Sequence, residues 1–367
     1  MSEYSLELEK ILAKGFQNSI FPGVSILIRV QDEIEIQLCH GKLTYDDDAD
    51  VVSNGTLFDI ASITKLFSSV AIMQLHEKGF LNIYDPVKRF FGQLKGAGKD
   101  QLNLWHILTH TSGYDSFDDQ ELAAIDSKDD LITKICMRNL KFMPGAGYCY
   151  SDLGFILLGL VIELVSGKNL DEYLYCHIFE PLGMYSTFYL PGTRQVVNVA
   201  PTERDSSGNF LQGVVHDEKA RLMGGIAAHS GLFSTATDLG KFSQSFLSLV
   251  NYQSHKLIML PETARIMVEP QIANIMPSQG LGWFINLPFM GKFASQTTFG
   301  HTGFTGVSCV IDSQKQITCV LLSNCVHPTR PDMRKREVLM HIRQEISNFG
   351  FELYNGVHRK KDRREKK

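Results

Sequence analysis

Ser62 and Lys65 stand three residues apart in the apolar stretch FDIASITKLFSSVAIMQL, residues 58–75. At 3.6 residues per turn, a helix over this stretch sends both side chains from one face, with the ammonium beside the hydroxyl. A serine hydroxyl is a weak nucleophile until an adjacent base takes its proton, so this spacing points to acyl transfer. The N-terminus of a helix adds free N–H groups and partial positive charge where an anion would form. Ser-x-x-Lys also arises by chance, and Ser62 fits an ordinary N-cap. The rest of a serine site must therefore be sought elsewhere in the chain.

The elements that would position this pair can be read from apolar periodicity. Ile63, Leu66, Phe67, Val70, Ala71, Ile72 and Met73 leave almost no polar side, which predicts a helix buried at the centre of the molecule. Val24, Ile26, Ile28 and Val30 alternate with polar or opposite-face residues, and Ile34, Ile36 and Leu38 repeat the pattern after a turn, predicting a β-hairpin. Short helices are expected over residues 102–108 and 131–140. FMPGAGYCY, residues 142–150, has the punctuation of an ordered loop, after which Ser151 or Asp152 can cap a helix through Phe155, Leu158, Ile162 and Val165. Further helices are expected at 235–250, 261–268 and 334–349, and strands at 281–286, 307–311 and 317–323. Strands at both ends of a helical middle predict an α/β (α+β) fold, with one antiparallel sheet shared by both termini and flanked by helices. The sheet region would comprise residues 1–61 and 280–349 and the mainly helical insertion 62–279, with the active site in the cleft between them. Residues 350–367, ending HRKKDRREKK, read as a basic, solvated tail.

The 367 residues are 44% hydrophobic and 21% charged with a net charge of −4, as in a globular protein whose main partner is not nucleic acid. The acidic amphipathic start lacks the pattern of a signal peptide, and the longest apolar run, 155–165, is too short to span a bilayer. Seven scattered cysteines without a Cys-x-x-Cys pair fit reduced thiols, so a cytoplasmic protein is expected.

Three motifs stand in order: Ser62-Ile63-Thr64-Lys65, Tyr150-Ser151-Asp152 and His301-Thr302-Gly303. With LWHILTHTSGY, YSDLGFILLGLVIE, VHDEKARLMGGIAAHSGLFSTATDLGKF and GHTGFTGVSCVID around them, the chain resembles the serine β-lactamase and penicillin-binding-protein superfamily. Within it, the chain is most similar to the class C β-lactamase-like and low-molecular-mass DD-peptidase and esterase branch. The resemblance implies that Ser62 is acylated, that Lys65 takes its proton or holds the proton network, and that Tyr150 relays a proton to the leaving group. It also implies an oxyanion hole from the N–H groups of Ser62 and Phe304, with Gly303 keeping space for substrate along the strand. Which residue is the acylation base stays open.

Two departures bear on substrate. Asp152 stands where Asn is usual, and a carboxylate near Lys65 favours the ammonium and moves the base role towards Tyr150. His301 stands where Lys is more common, and a neutral imidazole grips a carboxylate less firmly. Ester or peptide hydrolysis is therefore expected ahead of efficient β-lactamase activity. His216 and Asp217 either line the cleft or bond a loop, whereas His110 and His229 are expected to be structural. No cofactor or metal is expected. The implied partner is a small ester, peptide or β-lactam-like substrate. Alternatives are a DD-carboxypeptidase or weak β-lactamase, and a penicillin-binding-like protein that binds without turnover.

Overall fold

The computed structural model describes residues 3–192, 198–253 and 258–365. Among them the strands are β1 (Gly23–Val30), β2 (Ile34–Gly41), β3 (Phe58–Asp59), β4 (Phe188–Tyr189), β5 (Leu232–Ser234), β6 (Phe284–Ile285), β7 (Thr298–Thr302), β8 (Ser308–Asp312) and β9 (Ile317–Ser323). The hairpin forms as its alternation predicts, with Val30 opposite Ile34 and Gly23 opposite Gly41. Its first strand then pairs with the last, Val24 opposite Ser323 and Val30 opposite Ile317, giving an antiparallel sheet in the order β2-β1-β9-β8-β7-β6.

The period of two divides the core between the faces of this sheet. Val24, Ile26, Ile28 and Val30 pack with Leu8 and Leu12 of helix Glu3–Gln17 and with Leu339, Ile342 and Ile346 of helix Met333–Glu365. Leu27, Val320 and Leu322 face the other way, into the larger core beneath helix Ala236–Val250. There helix Thr64–Glu77 is buried from Thr64 to Leu75, with the rings of Phe67 and Phe242 centred 4.3 Å apart. Fully burying each such side chain contributes roughly 2–3 kcal/mol, so this helix is a fixed base for anything mounted on its first turn. It packs against helix Asp152–Ser166, which begins where Ser151 Oγ accepts the Leu153 N–H (3.2 Å) and ends at the left-handed Gly167.

Several boundaries differ from the periodicity. The central helix starts with a 3₁₀ turn, Ala61–Ile63, and becomes α-helical only at Thr64. The strand expected at 281–286 contracts to β6, and β7 was not anticipated because TFGHT lacks a run of apolar residues. The C-terminal helix does not stop at residue 349 but continues through Glu365, so the segment read as a solvated tail is helical that far. Buried Phe351 and Leu353 prolong its apolar stripe, and the Lys, Arg and Glu that follow are good helix formers. No single helix among the described residues is long and apolar enough to cross a membrane.

Candidate active site

The turn before Ser62 is strained and held. Ala61 has a φ of 45°, the left-handed region that costs an L-residue roughly 1–2 kcal/mol. The buried Asp59 carboxylate accepts the Ala61 N–H (2.8 Å) and the His216 N–H (2.7 Å), fixing this conformation. Ser62 is no N-cap, because neither the 3₁₀ turn nor the following helix has a side-chain cap bond. Its hydroxyl is instead partnered by Lys65.

Lys65 is fully buried, and its Nζ donates to Ser62 Oγ (2.9 Å), Asp152 Oδ1 (2.7 Å) and the His229 carbonyl (3.1 Å). An ammonium has three N–H bonds, and all three are used here. Burial works to lower the lysine pKa, but the Asp152 and Tyr150 oxygens outweigh it and hold it above the ordinary value. Asp152 is held well below the usual carboxylate range: burial opposes its ionisation, and Lys65, His229 and Lys219 override that. Lys219 Nζ in turn lies 3.3 Å from Asp152 Oδ2 and 3.0 Å from Asp217 Oδ2, and Asp217 Oδ1 is 2.7 Å from His229 Nε2. Two lysines and two aspartates thus form a loop of balanced charge that returns to Lys65 through the His229 carbonyl. Asp152, Asp217 and His229 lie close enough together to suggest metal ligands. The Lys219 ammonium already bridges the two carboxylates, and Lys65 pairs with Asp152 beside it.

Tyr150 enters from the loop before helix Asp152–Ser166, bracketed by His110. The His110 carbonyl accepts the Cys149 N–H (2.9 Å), its Nδ1 accepts the Ser151 N–H (3.2 Å), and its ring centre is 4.4 Å from that of Tyr150. Burial raises the Tyr150 pKa above its ordinary value, although the nearby Lys65 charge pulls the other way. No stored phenolate is therefore expected at neutral pH.

The third motif lies at the end of β7. His301 Nδ1 donates to the Thr302 carbonyl (2.6 Å), which leaves Nε2 with the lone pair, and the ring stacks on Phe284 at 4.5 Å. Burial, reinforced by Lys65, pushes its pKa down to about 3, so the imidazole is neutral and offers an acceptor, not a charge. At Gly303 an added Cβ would fall 2.4 Å from Val307 Cγ2, 2.7 Å from the Ile60 carbonyl and 3.2 Å from Ala61 Cβ. The crowding that excludes a side chain there comes from the protein's own turn beside Ser62, where the sequence suggested space for substrate. Ser62, Tyr150, His301, Thr302, Gly303 and Phe304 all line one cleft of about 400 Å³.

A family model described as Beta-lactamase matches residues 8–343. This chain belongs to the β-lactamase family. A relative from Escherichia coli K12, named "Putative D-alanyl-D-alanine carboxypeptidase", is 29% identical over 90% of this chain and 85% of its own. Among solved structures, EstCE1, a hydrolase with promiscuous acyltransferase activity, superposes with a TM-score of 0.74 at 19% identity, covering 94% of this chain and 98% of its own. The octameric penicillin-binding protein homologue from Pyrococcus abyssi has a TM-score of 0.70 at 24% identity, covering 93% and 76%. These structural likenesses establish the antiparallel, helix-flanked fold.

For this β-lactamase-family protein, the sequence motifs converge on one site, and two histidines set aside as structural adjoin it. His110 brackets Tyr150, and His229 supplies a carbonyl to Lys65 and a ring nitrogen to Asp217. Asp217 also caps helix Glu218–Leu222, with Oδ1 accepting the Ala220 N–H at 2.9 Å, so the structure gives it the local bonding role, and it is not among the residues that line the cleft. His216 stacks on Phe304 at 5.6 Å, and its Nε2 lies 3.2 Å from Glu203. Lys219 was missed, although it lies in the VHDEKARL segment. Asp152→Asn is expected to lower the Lys65 pKa, because burial then acts with less opposition. In a pH profile of kcat/KM, wild type should hold its rate past the ordinary tyrosine and lysine values, and the variant should develop an alkaline limb at lower pH. An unmoved limb would detach Asp152 from Lys65 ionisation.

Proposed function

We propose that this protein is a serine hydrolase that works through an acyl-enzyme at Ser62, with an ester or amide as acyl donor. The observation that carries this reading is the saturated Lys65 ammonium beside Ser62 Oγ in a cleft shared with Tyr150 and the Gly303–Phe304 peptide. With Lys65 charged and Tyr150 protonated, neither is a free base, so the phenol works as a relay. Ser62 Oγ attacks the carbonyl carbon and passes its proton to Tyr150 Oη, while Tyr150 passes its own proton to the departing oxygen or nitrogen. The carbonyl–leaving-group bond breaks, and the acyl group stays on Ser62. Water then attacks the acyl carbon, giving a proton through Tyr150 back to Ser62 and releasing the acid. The N–H groups of Ser62 and Phe304 are the proposed oxyanion donors. Intact-mass spectrometry with a penicillin and with an activated ester tests this: an acyl adduct or turnover with wild type and neither with Ser62→Ala supports the reading. Full ester turnover by Ser62→Ala would overturn it.

The lining of the cleft favours a donor that carries a carboxylate. Arg336 and Arg343 contribute to it and, among the described residues, no Asp or Glu does. Arg336 is exposed, with its guanidinium 5.2 Å from the centre of the Phe304 ring, and neutral His301 offers no competing cation. A peptide with a free C-terminal carboxylate fits this charge, in keeping with the name borne by the relative from Escherichia coli. Arg336→Gln should raise KM about 10-fold for a carboxylate-bearing donor, from the loss of one charge-assisted contact, and leave its neutral methyl ester unchanged. Equal effects on both would favour plain ester hydrolysis. Seven unpaired thiols support a reducing, cytoplasmic setting for this activity.

A further inference from the structure

We propose that Arg343 is a positioning residue for the oxyanion hole: it holds and polarises the Gly303–Phe304 peptide from behind. The proposal rests on the reading that Ser62 is acylated with Phe304 N–H as one oxyanion donor. Arg343 lies on the inner side of helix Met333–Glu365, 9% exposed, within the stripe of Leu339, Ile342 and Ile346. Its Nη2 donates to the Gly303 carbonyl (3.0 Å) and to the Val307 carbonyl (2.9 Å). The Gly303 carbonyl also accepts the Gly306 N–H (3.2 Å), and Gly303 N–H donates to Val307 O (2.9 Å), closing a tight turn.

In a planar trans peptide the carbonyl and the following N–H point in opposite directions. Pinning Gly303 C=O towards Arg343 therefore aims Phe304 N–H away from the C-terminal helix. Gly303 lies against Ile60 and Ala61, so that direction lies beside the turn bearing Ser62. Thr305 Oγ1 donates to the Asp59 carbonyl (2.7 Å), tying this turn to the strand that leads into Ser62, so both proposed donors share one support.

The guanidinium is an unusual occupant of an apolar stripe. Among the described residues no carboxylate pairs with it, its Nε is buried without an acceptor, and burial pulls its pKa down to about 10, which still leaves it charged at neutral pH. A buried cation without a counter-ion is costly, and an apolar side chain of similar size would remove that cost. What an apolar side chain could not do is draw electron density from the peptide carbonyl and make its N–H a stronger donor as negative charge develops on the substrate oxygen.

The test measures hydrolysis of a neutral p-nitrophenyl ester and inhibition by phenylboronic acid, whose boron bonds Ser62 Oγ and places a hydroxyl in the oxyanion hole. Arg343→Met is expected to lower kcat by about 10- to 100-fold, less than the loss of a donor outright. The boronate inhibition constant should weaken by a similar factor, KM should stay within about threefold, and Arg343→Lys should recover part of the loss. A folded Arg343→Met protein with unchanged kcat and boronate affinity would overturn the proposal. So would a change confined to KM for carboxylate-bearing donors, which would make Arg343 a substrate anchor. If the Met variant does not fold, Arg343→Gln and Arg343→Lys are judged by the same two constants. Wild type that neither acylates nor binds the boronate would overturn the Ser62 reading itself, a result distinct from any difference among Arg343 variants.

Discussion

Ser62→Ala is expected to reduce turnover of any accepted ester by on the order of 10⁵-fold, because the variant lacks the oxygen on which the acyl intermediate is proposed to form. The melting temperature should change little. Without the hydroxyl, Lys65 keeps Asp152 Oδ1 and the His229 carbonyl as partners, so its buried charge stays compensated. Steady-state rates and a thermal melt on the same preparations check both halves. Residual activity within tenfold of wild type would move the nucleophile elsewhere.

Tyr150→Phe should cost about 10³-fold in kcat, the middle of the range for a positioned proton-transfer group. The ring would keep its place against His110, so substrate binding and fold should persist while both acylation and deacylation slow. This variant also discriminates between proton routes. If the phenol is the relay, the loss holds across the neutral range; turnover kept within tenfold would assign the proton transfer to Lys65 despite its three hydrogen bonds.

What could be read from the chain follows how locally each feature is encoded. Ser62 with Lys65, and Tyr150 with Asp152, are pairs fixed by one turn of chain, and the hairpin is fixed by alternation over a few residues, so each is visible in a short stretch, although the Ser-x-x-Lys spacing points to a site only beside the other motifs. The His229 contribution to Lys65 is a backbone carbonyl, which any residue type could supply. Nothing in the identity of that residue announces it. Lys219 reaches Asp152 across 67 positions of sequence, and only the fold brings the two together. Arg343 left a usable trace: a charge at the centre of the Leu339, Ile342, Ile346 stripe breaks the polar and apolar pattern of its helix. The end of that helix was misread because a run of charged residues resembles both a solvated tail and the exposed end of a long helix. Only the buried Phe351 and Leu353 distinguish the two.

The pairing of the first strand with the last also bears on synthesis. β1 is complete once residue 30 has been made, but its partner β9 begins at Ile317. At about 10 residues per second, the nascent chain must carry this apolar hairpin for roughly half a minute before the strand that covers its edge leaves the ribosome. The sheet therefore closes only after β9 has emerged, and such distant pairing makes folding slow. A chain that stalls early would present β1 as an open, aggregation-prone edge, so production in cells should depend on holdase chaperones more than the finished fold would suggest.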